Sequence, residues 1–110
     1  MTPEIIAHRG ASYLAPENTL SAFRKAMEIG ADGVEMDVQQ TSDKKLVIHH
    51  DFVIDWHTDM RGQIYDMTEG ELKALDFGSW KDVNYQNERI ATLQEALCAG
   101  KWKVPSFSWK

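Results

Sequence analysis

His8, Arg9, Glu35, Asp37 and His50 are the residues whose types and order could do chemistry. Glu35 and Asp37 stand two apart in Gly33-Val34-Glu35-Met36-Asp37-Val38. On a β-strand both carboxylates therefore leave the same face. Val34, Met36 and Val38 leave the other face and can be buried, and acids carried on a buried strand call for a cation. A second apolar run, Leu46 to Ile48, ends in His49-His50-Asp51. A carboxylate pair and an imidazole are what a divalent metal and a proton-transfer step need. His8-Arg9-Gly10 follows the run Ile5-Ile6-Ala7, so one strand end can aim a proton carrier and an anion clamp at the same point. Arg suits phosphate because its planar fork meets two oxygens. On spacing alone, a single His after an apolar run is more often a hydrogen-bonded core residue.

These side chains need elements to hold them. Glu4 to His8 reads as a short buried strand, and a loop follows to Pro16-Glu17-Asn18-Thr19. Asn18 or Thr19 can cap the next helix. Leu20, Phe23 and Met27 recur at helical spacing beside Ala22 and Ala26, with Arg24, Lys25 and Glu28 opposite, and Gly30 supplies a left-handed cap. Residues 4–39 thus read strand, helix, strand, a βαβ unit with a parallel pair. The link from about Gln40 to Lys45 is too short for a helical crossover. A tight reversal at Asp43-Lys44 is expected, which would set Asp37 opposite His50. Residues from about 52 to 88 form an insertion over the strand ends, with Arg61-Gly62 as a turn. Within it, Thr68 and Glu71 spell a capping box, Met67 can staple onto Leu72, and Leu75 completes the apolar side. Thr92 and Glu95 spell a second box, opening a helix with Leu93, Ala96 and Leu97 inward and Gly100 at its end. Val104 to Trp109 can form one more strand.

Composition narrows the classes. The chain has 110 residues, 43% hydrophobic and 26% charged, which suits one soluble globular domain or part of one. A formal net charge of −5 leaves no basic footprint, so nucleic acid is not expected as a partner. No apolar run is long enough to span a membrane, and Met1 leads straight into the first strand without a secretory h-region. Cys98 is the single cysteine, which fits a reducing, cytoplasmic compartment; as a small buried hydrophobe it needs no chemical role. His49 points away from His50 in any strand and reads as structural. Asp51 reads as a residue that orients a histidine or caps a turn. Glu17 and Asn18 read as ties between the loop and the first helix, His57 as an exposed residue of the insertion, and Trp56, Trp80, Trp102 and Trp109 as packing.

The joint pattern is more specific than its parts. His8-Arg9-Gly10-Ala11, Pro16-Glu17-Asn18-Thr19 with Ala22-Phe23, Gly30-Ala31-Asp32, Glu35-x-Asp37-Val38, His50-Asp51 and Arg89 to Leu93 occur in order. Together they resemble the glycerophosphodiester phosphodiesterase family over nearly the whole chain. The resemblance implies an α/β fold, a partial (β/α)8 barrel supplying the first three to four strands, with a small insertion after the third. It also implies metal-dependent hydrolysis of a glycerophosphodiester to an alcohol and glycerol 3-phosphate. Carried over position by position, His8 and His50 become the general acid–base pair, Glu35 and Asp37 ligands of calcium or magnesium, and Arg9 a phosphate contact. Active sites of such barrels lie at the C-terminal ends of the strands, where these residues fall.

The chain departs from the family pattern at Trp56-His57, where Arg and Thr are usual, at Lys44 in place of a turn Gly, and at Ala91 in place of Pro. The family's third metal carboxylate comes from the strand after the Leu93 helix, in a Glu-x-Lys pattern. Here that strand reads Val104-Pro105-Ser106-Phe107-Ser108-Trp109, and no Asp or Glu follows Glu95. Weak metal binding and self-association through uncovered barrel edges are therefore expected. Two other readings stay open: a related phospholipase-like phosphodiesterase, and a non-catalytic binding module that keeps the family's front half.

Overall fold

The computed structural model describes residues 6–10 and 12–98 in full, and the backbone of residues 104–109. The elements are β1 (Ile6–His8), α1 (Leu20–Glu28), β2 (Gly33–Gln40), β3 (Leu46–Ile48), α2 (Glu69–Lys73), β4 (Ala91–Thr92), α3 (Leu93–Cys98) and β5 (Val104–Trp109), with short 3-10 turns at Ile64–Asp66 and Val83–Tyr85. β2 is the axis of the sheet. It pairs in parallel with β1, His8 beside Glu35, and in parallel with β5, Glu35 beside Ser106 and Asp37 beside Ser108. Its last residues pair antiparallel with β3, which pairs antiparallel with β4. Five strands are described: β1, β2, β3 and β5 where the sequence suggested strands, and the two-residue β4 where it suggested only a helix cap.

Alternation along β2 sorts its side chains. Val34, Met36 and Val38 are fully buried against Phe23 of α1, Ile48 of β3 and Ala96 of α3. Burying each large side chain contributes about 1.5–3 kcal/mol. A second cluster, Val47, Ile54, Ile64, Leu72, Phe77 and Ile90, lies under the insertion, with Met67 and Leu75 packed against it. Thr19 caps α1 by accepting from the Ala22 N–H, and Gly30 at φ 83° ends it. Both capping boxes form. Glu71 accepts from the Thr68 N–H and Glu95 from the Thr92 N–H, and each Thr hydroxyl accepts in return.

The hairpin register differs from the expected one. Val38 faces Ile48, so Asp37 lies opposite His49, whose N–H donates to the Asp37 carbonyl at 2.9 Å. The cause is a three-residue loop, Ser42-Asp43-Lys44, closed by Thr41 N–H to Lys45 O at 2.9 Å. Lys44 takes the left-handed conformation, φ 63°, that the missing glycine would have adopted freely. Several burial expectations also change. Ile6 on the edge strand β1 is 42% exposed, and Met27, Leu97, Trp56, Trp80 and Cys98 are exposed. Short helices and an edge strand do not bring enough neighbours to cover them. Gly100 and Trp102 lie outside the described residues, as does the side chain of Trp109.

The insertion is tied down onto the loop between β1 and α1. Glu88 accepts from both the N–H and the hydroxyl of Ser21, at 3.0 and 2.7 Å. Lys81 Nζ donates to Ser12 O, and the Tyr85 hydroxyl to Leu14 O. Gly78 permits this fold-back: a Cβ there would sit 1.9 Å from the Tyr85 carbonyl oxygen.

Candidate active site

The mouth of the site is built where β1 ends at His8, beside Glu35 within β2. His8 Nε2 lies 3.2 Å from Glu35 Oε2, with His8 68% exposed and Glu35 mostly covered. Arg9 turns back at φ 56° and its N–H donates to the Glu35 carbonyl at 2.8 Å. That turn swings its guanidinium between two acids: Nη1 donates to Glu17 Oε2 at 2.8 Å and Nε stands 3.4 Å from Asp37 Oδ2. Asn18, also at φ 56°, donates its Nδ2 to Asp37 Oδ2 at 2.9 Å and accepts from the Asp37 N–H through Oδ1. Non-glycine residues held at positive φ cost about 1–2 kcal/mol each and concentrate at functional sites. Gly10 follows Arg9 at φ 79°, where a Cβ would lie 2.8 Å from the backbone of Ala22. Only glycine lets α1 start this close to the strand end.

A second polar group adjoins the first. His50 Nδ1 bonds Asp51 Oδ1 at 2.9 Å, so Asp51 does orient a histidine. Asp51 Oδ2 lies 3.6 Å from His57 Nδ1, and His57 Nε2 lies 3.6 Å from Glu17 Oε1. His57 is buried, contrary to expectation. The insertion folds it inward, edge-on to Trp80 at 4.6 Å and to His49 at 4.8 Å. Glu17 and Asn18 tie the loop to Arg9, His57 and β2 rather than to the helix. The His57 ring, then the Arg9 guanidinium, holds the Glu17 carboxyl down to about 2 against the opposing effect of burial. Of the two, Arg9 at 2.8 Å is the firmer contact; 3.6 Å is long for a hydrogen bond. His49 is pulled down to about 4, first by burial and then by His57, and stays neutral near pH 7.

Residues 8–108 match the Glycerophosphoryl diester phosphodiesterase family. The chain belongs to that family. It is 50% identical over 93 residues to a glycerophosphodiester phosphodiesterase of Caldanaerobacter subterraneus subsp. tengcongensis, covering 84% of this chain and 38% of that protein. It superposes on a phosphodiesterase of Oleispira antarctica, solved in complex with the product sn-glycerol-3-phosphate, with TM-score 0.93 and 43% identity over 98% of this chain and 44% of that one. A glycerophosphodiester phosphodiesterase from Thermotoga maritima gives TM-score 0.81 and 35% identity over 100% of this chain and 45% of that one. The chain thus spans about two-fifths of its relatives' length, and its sheet is part of the (β/α)8 barrel of the glycerophosphoryl diester phosphodiesterases.

Glu35 and Asp37 offer oxygen ligands of the kind that calcium or magnesium takes. The fit is partial. Asp37 Oδ2 already serves Asn18 and Arg9, and the register positions beside Glu35 and Asp37 on β5 hold Ser106 and Ser108. Gln39 was not singled out by the sequence pattern, yet its Nε2 donates to the carbonyls of His49 and Asp51 at 2.7 and 2.6 Å and fixes the turn carrying both. Its place in the 35, 37, 39 alternation was the available signal. For His57 no local signal existed, because its burial depends on Trp80, 23 positions later.

Proposed function

We propose that this chain carries the mouth half of a glycerophosphodiester phosphodiesterase site. His8 and His50 serve as the general acid–base pair, Arg9 contacts the phosphate, and Glu35 and Asp37 hold a calcium or magnesium ion. The observation that carries this reading is the Arg9 turn, which sets a guanidinium between Glu17 and Asp37 beside the His8–Glu35 pair. An anion arriving there meets Arg9 and exchanges with carboxylates already holding it. A bound divalent ion would offset the charge of the diester and polarise its phosphoryl oxygen. One imidazole takes the proton of the attacking hydroxyl while the other protonates the leaving oxygen. Asp51 on His50 Nδ1 leaves Nε2 as the working nitrogen. The similar Oleispira antarctica protein, holding sn-glycerol-3-phosphate, supports a glycerol phosphate as the ligand class.

The test is release of glycerol 3-phosphate from a glycerophosphodiester, read through a coupled dehydrogenase with calcium or magnesium present. Turnover that disappears in His8→Ala and in His50→Ala supports the reading; turnover untouched by both overturns it. A second reading, a binding module without chemistry, is favoured by Ser106 at the register position beside Glu35. Glycerol 3-phosphate binding with no turnover would select it. With two carboxylates the metal binds weakly, and micromolar calcium or magnesium affinity would count against this ligand set.

Two further properties belong to the same proposal. Among the described residues β1 pairs with β2 alone and Ile6 is exposed beside it, so the chain self-associates. A monodisperse monomer in sedimentation velocity would refute this. None of the described helices is long and apolar enough to cross a membrane, and the lone Cys98 suits a reducing, cytoplasmic setting.

A further inference from the structure

A second set of ligand-bearing side chains lies behind the mouth. His49 and Asp51 follow β3, and His57 comes in from the insertion. One donor atom from each lies within 4.8 Å of the others. We propose that His49, Asp51 and His57 form a site for a zinc-class divalent ion, separate from the Glu35–Asp37 pair.

The donor chemistry selects the metal. Two imidazoles and one carboxylate are the ligands of zinc and its neighbours, whereas Glu35 and Asp37 present oxygen alone. Burial points the same way. The His57 side chain is only 9% exposed, and its Nδ1 is buried with no hydrogen-bond partner among the described residues. That nitrogen faces Asp51 Oδ2 at 3.6 Å. Ligands about 2.0 Å from a tetrahedral ion stand about 3.3 Å apart, so the Asp51–His57 pair closes by a few tenths of an ångström, and the set as a whole, spread over up to 4.8 Å, closes by up to about 1.5 Å as the ion draws it in. One outer-shell contact is in place at His49, and a second partner stands 3.6 Å from His57, just beyond hydrogen-bond reach. His57 turns Nε2 toward Glu17 Oε1, and His49 sets Nε2 against the Val53 carbonyl at 3.3 Å. An N–H donated outward to a carboxylate or a carbonyl fixes the tautomer and leaves the other ring nitrogen its lone pair. Asp51 keeps Oδ1 on His50 and offers Oδ2 to the ion. Phe77 and Trp80 stand edge-on to the two imidazoles and wall the site. Three protein ligands leave one position for water. The ion would pin the insertion to the end of β3, and this holds whether or not the mouth performs hydrolysis.

The experiment uses the untagged chain, freed of metal with a chelator and titrated with cobalt(II), whose visible absorption reports a nitrogen–oxygen site. Zinc competition then gives the zinc affinity. The expected result is one equivalent bound. Binding should persist in Glu35→Gln and Asp37→Asn and weaken about 100-fold or more in His57→Gln. Glu17→Gln, which touches only the outer shell, should weaken it roughly 10-fold to 100-fold. Binding that vanishes with Glu35→Gln, or that ignores His57→Gln, overturns the proposal, as does no cobalt spectrum in the unmodified chain. Should His57→Gln fail to fold, the cobalt-loaded native chain decides through its proton spectrum. Two hyperfine-shifted imidazole N–H signals are expected, and none or one refutes the site.

Discussion

The mouth of β1 and β2 and the pocket of His49, Asp51 and His57 share one chain of contacts, yet they are built on opposite principles. The mouth is a network of formal charges held at strand ends. Arg9 bridges Glu17 and Asp37, His8 projects largely into solvent over Glu35, and two residues are kept at positive φ to make the bridge. The pocket is a group of buried imidazoles with one carboxylate, assembled by an insertion and walled by Phe77 and Trp80. Charges at strand ends can follow a ligand as it arrives and leaves. Buried rings cannot, and they suit a fixed occupant. The difference shows how one barrel mouth can present an adaptable anion site on a stiffer base.

The sharpest contrast is between Asp37 and His8. Asp37→Ala removes a buried carboxylate that receives Asn18 and faces Arg9, and leaves that guanidinium half-compensated; the expected loss is about 3 kcal/mol in urea unfolding. His8→Ala removes a solvent-exposed partner and should change stability by less than about 0.5 kcal/mol. Equal losses would mean that the mouth is not a network centred on Asp37.

The pocket should be exposed by acid. His49 has its folded value pulled down to about 4 from 6.5, so the unfolded chain takes up the proton first. Its contribution is fully present above pH 6.5 and is lost as pH falls through 4, about 3 kcal/mol in all. Glu17, held at about 2, loses its contribution lower, between 4.5 and 2. Melting temperature should therefore fall in two windows, and His49→Gln should flatten the upper one and leave the lower. A single acid transition unaffected by His49→Gln would place the buried imidazole elsewhere in the balance.

Much of the mouth was legible because alternation is a local rule. Glu35 and Asp37 had to share a face, and Val34, Met36 and Val38 had to share the other. Caps are local too: Thr19, Thr68 with Glu71, and Thr92 with Glu95 were readable within four residues. The strand, helix, strand pattern of residues 4–39 announced the parallel β1–β2 pair, and the family motifs announced the barrel. What failed was long-range. The fate of His57 depended on Trp80 and on the fold-back at Gly78. The exposure of Ile6, Leu97, Met27 and Cys98 depended on which neighbours short elements bring, and a periodic pattern names a face without saying what covers it. A cap within one turn behaves as expected: Thr68→Ala should cost about 1 kcal/mol by undoing the box on α2, seen as a lower urea midpoint at unchanged slope.

The smallest effect concerns the one-residue difference that creates the contrast. A two-residue turn at Asp43-Lys44 would set His50 opposite Asp37; the three-residue loop sets His49 there instead and sends it into the pocket. The loop achieves this by holding Lys44 at φ 63°, closed by its N–H to the Thr41 carbonyl at 3.0 Å. Lys44→Gly removes the side-chain clash of that conformation, about 1–2 kcal/mol, but adds freedom to the unfolded chain. The expected net gain is about 0.5–1 kcal/mol in urea unfolding, with the His49 amide still protected from hydrogen exchange by its bond to Asp37. A loss of stability would show that Lys44 contributes something besides strain. A gain accompanied by loss of His49 protection would show that glycine lets the hairpin slip, and that the strained lysine is what keeps the mouth and the pocket in register.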